Sequence, residues 1–187
     1  MVSYQELFQL HKLEILNLSY NAFNGVIPTW IGSLSSLQHL ILHNNAFEGV
    51  IPPSISNLSK LESLECRSNF IKGSIPFEIG RLESLKILRI SRNNLSGKIP
   101  PAISNLWSLE RIILSYNSLS GSIPVEIGNL YKLEHLVLGH NKFRGSIPLE
   151  ILNISTLQVL ALQNNSLSGS LPSDVGCGLP NLEELYL

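Results

Sequence analysis

The chain has little of the residue types that build reactive sites. Of its 187 residues only Asp174 is an aspartate and two are cysteines, and none of the five histidines has an aspartate near it. The chain therefore has few side chains that could bind a metal ion or act as a catalytic acid–base pair. The sequence predicts no catalytic residue, no metal and no cofactor.

Charge and hydrophobic runs exclude further classes of partner. The 13 basic and 14 acidic residues give a formal net charge of -1, so nucleic acid and anionic membrane surfaces are not expected partners. No apolar run of about 18 residues occurs, and the sequence predicts no membrane-spanning segment in this chain. The start also lacks the basic and then apolar regions of a secretory signal.

A repeat of 24 residues runs through the chain and predicts a stacked architecture. Leucine recurs at 13, 37, 61, 85, 109, 133 and 157, and then at 182 after 25 residues. Glycine recurs at 25, 49, 73, 97, 121, 145 and 169, and proline recurs three residues after each glycine. Asparagine forms a third column: Asn21, Asn45, Asn69, Asn93, Asn117, Asn141 and Asn165.

Each column has a physical role within the repeat. In residues 109–115, Ile112 and Leu114 point inward from a short strand while Arg111 and Ile113 point outward. The asparagine that follows is expected to hydrogen-bond backbone groups of the turn, so that the stacked amides form a ladder. The glycine allows a bend, and the following Ile-Pro pair is extended. The return segment is expected to be a short helical or 3₁₀ turn.

One unit cannot bury its apolar side alone, so neighbouring units must stack. We assign residues 1–12 to the tail of a preceding repeat, residues 13–181 to seven repeats, and residues 182–187 to the start of an eighth. The predicted fold is a right-handed α/β solenoid, with one parallel sheet on its concave face and helical or 3₁₀ turns on its convex face.

Residues 109–133, LERIILSYNSLSGSIPVEIGNLYKL, follow the pattern LxxLxLxxNxLxGxIPxxIGNLxxL. This pattern resembles the plant-type leucine-rich repeat, and the resemblance covers nearly the whole chain. It is similar to the ectodomains of plant receptor-like serine/threonine kinases, of receptor-like proteins without a kinase, and of secreted polygalacturonase inhibitors. Residues 174–185 are similar to a segment of receptor kinases related to immune receptors, which favours the first group.

The resemblance implies a ligand-binding segment of a plant receptor-like kinase, at the extracellular face of the plasma membrane, in defence or developmental signalling. Its partners would be a peptide or protein ligand and a co-receptor kinase with leucine-rich repeats. The alternative is a polygalacturonase-inhibitor-like protein secreted to the apoplast, or a receptor-like protein without a kinase. Kinase motifs do not occur here, so any kinase activity belongs to a parent protein and the chain itself is not expected to be an enzyme.

Outward residues of successive strands become neighbours, because parallel strands lie about 4.8 Å apart. Arginine binds carboxylates through a planar fork and tyrosine offers rigid contact area, so a basic and aromatic cluster is the candidate ligand surface. Its predicted members are Arg67, Arg89, Arg92, Arg111, Tyr116, His135 and His140. The competing interpretation is a solvated surface, in which Glu65 faces Arg89 and the flanking row Glu62, Lys86, Glu110 and Glu134 pairs with the other arginines.

Five N-x-S/T sequons occur, and the repeat consensus itself generates this motif. Asn57 and Asn153 lie in one column of the outer face and are the glycosylation candidates, whereas Asn17 and Asn164 would crowd the concave face. Cys66 replaces a core leucine of its strand, which predicts a small buried hydrophobic residue rather than a reactive thiol.

Overall fold

Three-residue strands recur once per repeat and form one parallel sheet, in which each strand pairs with its counterparts in the adjacent repeats. The computed structural model describes residues 9–170 and 178–187. Within these residues the sheet has eight strands, and we call its solvent side the concave face. The strands are Ile15–Asn17 (β1), His39–Ile41 (β3), Ser63–Glu65 (β5), Ile87–Arg89 (β7), Arg111–Ile113 (β9), His135–Val137 (β11), Val159–Ala161 (β13) and Glu184–Tyr186 (β15).

The core lies behind this sheet and is built from the inward columns. Ile112 and Leu114 are fully buried, whereas Ile113 between them is half-exposed, as the alternation of side chains in a strand requires. Cys66 is also fully buried, and burial raises its pKa to about 12, so the thiol stays protonated. The prediction that Cys66 acts as a core hydrophobic residue is confirmed.

The return segments are 3₁₀ turns, one of the two forms predicted. Each follows a proline in the extended conformation, and the leucine or isoleucine after the turn donates its N–H three residues back, as Leu130 does to the Ile127 carbonyl at 3.0 Å. Ile127 packs inward. The turns are Thr29–Ser33 (η1), Pro53–Asn57 (η2), Phe77–Arg81 (η3), Pro101–Asn105 (η4), Val125–Asn129 (η5) and Leu149–Asn153 (η6).

A second set of parallel strands, which the sequence analysis did not predict, lies between the asparagine and the proline of each repeat. Most of its residues are polar or glycine, with at most one buried apolar residue per strand, such as Leu119, and this hides the strand pattern in the sequence. At its end Gly121 has φ +81°, a left-handed conformation that glycine adopts without steric cost. The strands are Asn24–Val26 (β2), Ala46–Glu48 (β4), Lys72–Gly73 (β6), Asn94–Gly97 (β8), Ser118–Gly121 (β10), Lys142–Gly145 (β12) and Ser166–Leu167 (β14).

The asparagine column joins successive repeats through backbone hydrogen bonds. Asn93 Nδ2 lies 2.9 Å from the Cys66 carbonyl of the preceding repeat and 3.3 Å from the Ile90 carbonyl of its own. Its Oδ1 accepts the N–H of Ile71 at 3.0 Å. The same contacts recur for the asparagines at 45, 69, 117, 141 and 165, whereas within the described residues the Asn21 side chain bonds only to carbonyls of its own repeat. These amides satisfy backbone groups that the turn leaves unpaired.

The solenoid predicted from the sequence is confirmed. The boundaries of the seven repeats and of the two partial repeats stay predictions. Residues 1–8 of the assigned tail, and Pro172, Asp174 and Cys177 of the last repeat, lie outside the described residues.

Candidate ligand-binding surface

The concave face presents outward side chains in rows, and strand register fixes which residues are neighbours. We define three rows by their members. The middle row is Asn17, Ile41, Glu65, Arg89, Ile113, Val137, Ala161 and Tyr186, adjacent in the sheet in that order. The turn row is Ser19, His43, Arg67, Ser91, Ser115, Gly139 and Gln163. The rim row is Tyr20, Asn44, Ser68, Arg92, Tyr116, His140 and Asn164.

Glu65 is the centre of a charge-paired cluster in the first half of the face. Its Oε2 accepts from Arg89 Nη1 at 3.1 Å and lies 3.3 Å from His43 Nε2, while its Oε1 accepts from Ser63 Oγ at 2.7 Å. The predicted pairing of Glu65 with Arg89 is confirmed. Burial lowers the pKa of His43 and outweighs the opposing attraction of Glu65, and the arginines at 89 and 67 lower it further.

Two more ion pairs involve the flanking row of Glu62, Lys86, Glu110 and Glu134, whose members lie just before the strands. Lys86 Nζ lies 2.8 Å from Glu62 Oε2, and the hydrogen bond from Lys86 lowers the pKa of the Glu62 carboxyl. Arg111 Nη2 lies 3.9 Å from Glu134 Oε2. Both partners of each pair are more than a third exposed, so these pairs contribute little to stability.

The rim row contains a stack of side chains from consecutive repeats. The Arg92 guanidinium carbon lies 4.6 Å from the centre of the Tyr116 ring, and the Tyr116 and His140 rings stack with centroids 4.0 Å apart and an interplanar angle of 11°. Asn164 Nδ2 lies 3.2 Å from His140 Nε2. The stack therefore orders a cation and two aromatic rings along the edge of the concave face.

Every rim-row residue from Tyr20 to Asn164 has a left-handed backbone, with φ between 50° and 58°. Hydrogen bonds between repeats hold this conformation, for example from the N–H of Tyr116 to the Gly139 carbonyl at 3.1 Å. All seven repeats share it, so it belongs to the repeat itself and not to a site. Sequence reasoning missed it, although its signal is simple: each such residue immediately precedes the ladder asparagine.

The structure brings some of the predicted site residues together and separates others. Arg92, Tyr116 and His140 touch in the stack, and Arg67 lies one repeat before Arg92 in the adjacent row. Arg89 and Arg111 are held by glutamates, and His135 neighbours Arg111 in the sheet. Among residues 9–170 and 178–187, neither Arg67 nor Arg92 forms an ion pair, although both are exposed.

The second half of the middle row is apolar, which the sequence analysis did not single out. Ile113 and Val137 are half-buried neighbours, followed by Ala161. Beside them the turn row narrows to Gly139, where an added Cβ would lie 2.8 Å from Gln163 Oε1. The Gln163 side chain therefore occupies the space above Gly139, and its Oε1 is buried with no hydrogen-bond partner in residues 9–170 and 178–187.

The sequon residues Asn57 and Asn153 are exposed at the last positions of η2 and η6, which leaves room for a glycan on each. Across the described ranges, no group of three or more His, Cys, Asp or Glu side chains is arranged to hold a metal ion. None of the helical turns there has the length and apolar composition needed to cross a bilayer.

Comparison with known proteins assigns the architecture to a family. A leucine-rich repeat model matches residues 4–47 and 83–143, and a second one matches residues 156–177. The chain belongs to the leucine-rich repeat family. No curated protein matches this leucine-rich repeat chain in sequence.

Solved structures similar to this leucine-rich repeat chain include ectodomains of plant membrane receptors. A TDR receptor superposes with a TM-score of 0.95 at 36% identity over 97% of this chain. The ectodomain of the receptor kinase GASSHO1/SCHENGEN3 from Arabidopsis thaliana, bound to CASPARIAN STRIP INTEGRITY FACTOR 2, gives 0.92 at 40% identity over 95%. The Arabidopsis receptor kinase HAESA, bound to the peptide hormone IDA and the co-receptor SERK1, gives 0.91 at 40% identity over 95%. The chain spans 31%, 21% and 30% of these chains, respectively.

Proposed function

We propose that this chain is a ligand-binding part of an extracellular plant receptor ectodomain and that it binds a peptide or protein ligand on its concave face. The observation that carries the proposal is the Arg92–Tyr116–His140 stack in the rim row, with Arg67 in the adjacent turn row one repeat earlier. Two arginines that have no acidic partner among the described residues can bind a carboxylate, and the rings supply contact area with little loss of side-chain freedom.

The ligands of the similar structures support this assignment. HAESA binds a peptide hormone together with a co-receptor, and GASSHO1/SCHENGEN3 binds CASPARIAN STRIP INTEGRITY FACTOR 2. By analogy, we propose a co-receptor with leucine-rich repeats as a second partner, a position at the extracellular face of the plasma membrane, and a role in defence or developmental signalling. We further propose that the parent protein continues into a kinase, and that Asn57 and Asn153 carry glycans.

The binding proposal is tested with a library of random 12-residue synthetic peptides that have free carboxyl ends. The library is passed over the immobilised chain, and the bound fraction is measured. The double variant Arg67→Ala/Arg92→Ala is expected to bind at least about tenfold less peptide, because hydrogen bonds to charged groups contribute about 1.5–3 kcal/mol.

A control variant removes the same charge elsewhere. Lys72→Ala/Lys98→Ala deletes two exposed cations, one in strand β6 and one just after strand β8, and should leave binding unchanged. An equal loss in both double variants would show nonspecific attraction to net charge and would overturn the proposed site. Sequencing the full-length transcript across both ends of this reading frame tests the parent: a membrane helix and kinase downstream support the receptor assignment, and an early stop codon contradicts it.

A further inference from the structure

Two exposed aromatic rings lie outside the concave face, in the segment that joins a 3₁₀ turn to the next concave strand. Trp107 lies between η4 and β9 and is 62% exposed, and Tyr131 lies at the equivalent position between η5 and β11 and is 65% exposed. The equivalent residues of four other repeats are Ser35, Ser59, Glu83 and Ser155. The two large rings therefore belong to two consecutive repeats and not to the repeat pattern.

The same two rings remove a glycosylation sequon. The asparagines at the last positions of η2 and η6 belong to sequons, because a serine follows two residues later. Asn105 and Asn129 occupy this position in η4 and η5, but there the third residue is Trp107 or Tyr131. Both asparagines are exposed, and neither is an acceptor for an N-linked glycan. The residue that supplies each ring therefore also keeps a nearby amide free.

Each ring is carried by a fixed backbone. The N–H of Leu109 donates to the Leu106 carbonyl at 2.8 Å and closes a tight turn around Trp107. Both leucines are fully buried, so the core anchors this turn. The equivalent turn around Tyr131 is closed at 2.9 Å, and Thr156 Oγ1 donates to the Tyr131 carbonyl at 3.1 Å. A ligand that binds the rings therefore has little backbone to order.

The surroundings of the rings are polar. In the part of the chain that the structure describes, neither ring stacks on another aromatic ring. The non-buried residues that flank the rings in sequence are all polar: Asn105, Ser108, Asn129 and Lys132. The core of a protein interface is more apolar than this. Charges close to the rings have both signs, since Lys132 is basic and Glu110 and Glu134 are acidic, so the surface favours a neutral ligand over a polyanion.

We infer that Asn105, Trp107, Asn129 and Tyr131 form a binding site for a neutral β-1,4-linked oligosaccharide. A pyranose with equatorial hydroxyls has a flat face of C–H groups, and their partial positive charge is attracted to the negative face of an aromatic ring. Its hydroxyls surround that face, where a side-chain amide can both donate and accept hydrogen bonds. The rings belong to consecutive repeats, about 4.8 Å apart at the sheet, so one oligosaccharide can reach both.

Calorimetric titration of the full chain with cellohexaose and with xylohexaose tests this inference, because both are uncharged and have equatorial hydroxyls. The unchanged chain should bind at least one of them. Trp107→Ala/Tyr131→Ala should bind it at least about tenfold more weakly, since Trp and Tyr contribute most where they are central to a contact. Asn105→Ala/Asn129→Ala keeps the rings and should weaken binding about threefold or more through lost hydrogen bonds.

The control variant removes two rings of similar exposure elsewhere. Phe70 and Phe77 are 59% and 69% exposed, and Phe70→Ala/Phe77→Ala should leave oligosaccharide binding unchanged. The urea midpoint of each variant is measured first, so that affinities are compared only among folded proteins. Hexagalacturonate is titrated in parallel as a charged oligosaccharide.

Four outcomes would overturn the inference. The first is no binding of either neutral oligosaccharide, and the second is an equal loss in the ring variant and in the phenylalanine control. The third is tighter binding of hexagalacturonate that survives Trp107→Ala/Tyr131→Ala, which would show a site for charge. The fourth is a dimer in sedimentation velocity that this variant abolishes, which would show that the rings contact a second copy. None of these outcomes involves Arg67 or Arg92, so the proposed function is tested separately.

Discussion

Asn93 and Arg92 are neighbours in the chain, but their positions differ in burial and in how much the residue varies among repeats. The Asn93 amide is buried and bonds to backbone groups of two repeats, and the same residue recurs in all seven. The position of Arg92 is exposed and is occupied in turn by Tyr, Asn, Ser, Arg, Tyr, His and Asn. The inward columns hold one repeat against the next, while the outward rows are free to vary. Residues that stabilise the stack are therefore largely separate from residues of the proposed ligand surface.

The largest effect should come from removing a buried ladder amide. Asn93→Ala leaves the N–H of Ile71 and several carbonyls without their partner, at about 1–3 kcal/mol for each buried group left unpaired. We expect the free energy of unfolding in urea to fall by about 3 kcal/mol, within that range for one or two groups. Asn21→Ala, at an exposed asparagine whose side chain bonds to carbonyls of its own repeat, is the matched control and should cost less than about 1 kcal/mol. Equal losses at the two positions would contradict the ladder's role between repeats.

Glu65 is an exception to this division between inward and outward residues. It points outward, but its side chain is mostly buried and bonded to its neighbours. Its side chain is 13% exposed and contacts Arg89, His43 and Ser63. Glu65→Ala leaves a partly buried cation unpaired, and we expect a loss of about 2 kcal/mol in unfolding free energy, below the 3–5 kcal/mol of fully buried pairs because Arg89 is 31% exposed.

The control for Glu65 is a more exposed pair of the same spacing. Glu62→Ala removes the partner of Lys86, and its urea midpoint should not change measurably. A double-mutant cycle of Glu65→Ala with Arg89→Ala separates their coupling from other losses. A coupling indistinguishable from zero would show that Glu65 is a solvated surface residue like Glu62.

The sequence predicted the burial of the inward columns well, but it predicted the side-chain contacts of the outward rows only in part. The burial of Cys66, the 3₁₀ turns and the pairing of Glu65 with Arg89 follow from position within a 24-residue period. The second strand set was missed because residues such as those of Ser118–Gly121 have no alternating apolar pattern. Period alone also does not reveal which arginines are paired, since the distance from Arg111 to Glu134 depends on side-chain rotamers. The contacts of Gln163 with Gly139 likewise depend on rotamers.

A smaller effect is expected at Tyr116, which belongs to the proposed ligand surface and also has a left-handed backbone. Its φ of 57° is disfavoured for most side chains, is tolerated by asparagine and is least suited to β-branched residues. Tyr116→Asn should therefore change unfolding free energy by less than about 0.5 kcal/mol, while Tyr116→Val should cost about 1–2 kcal/mol, as measured by urea unfolding. Both variants remove the stack with Arg92 and His140. Similar stabilities for the two variants would show that the left-handed backbone is not what limits this position.

The smallest effect should come from the protonation of His43, whose pKa burial lowers from the ordinary value of 6.5. Below pH 6.5 the unfolded chain takes up a proton at this residue more readily than the folded chain, so stability falls as pH falls towards the lower folded pKa. Well above pH 6.5 the imidazole is neutral in both states and does not make the unfolding free energy depend on pH. The charged groups that face it are Glu65, Arg89 and Arg67, so His43→Asn is compared with the unchanged chain by urea midpoints from pH 5 to 8. The variant should lose part of the decline below pH 6.5, and a steeper decline in the variant would show that attraction to Glu65 outweighs burial.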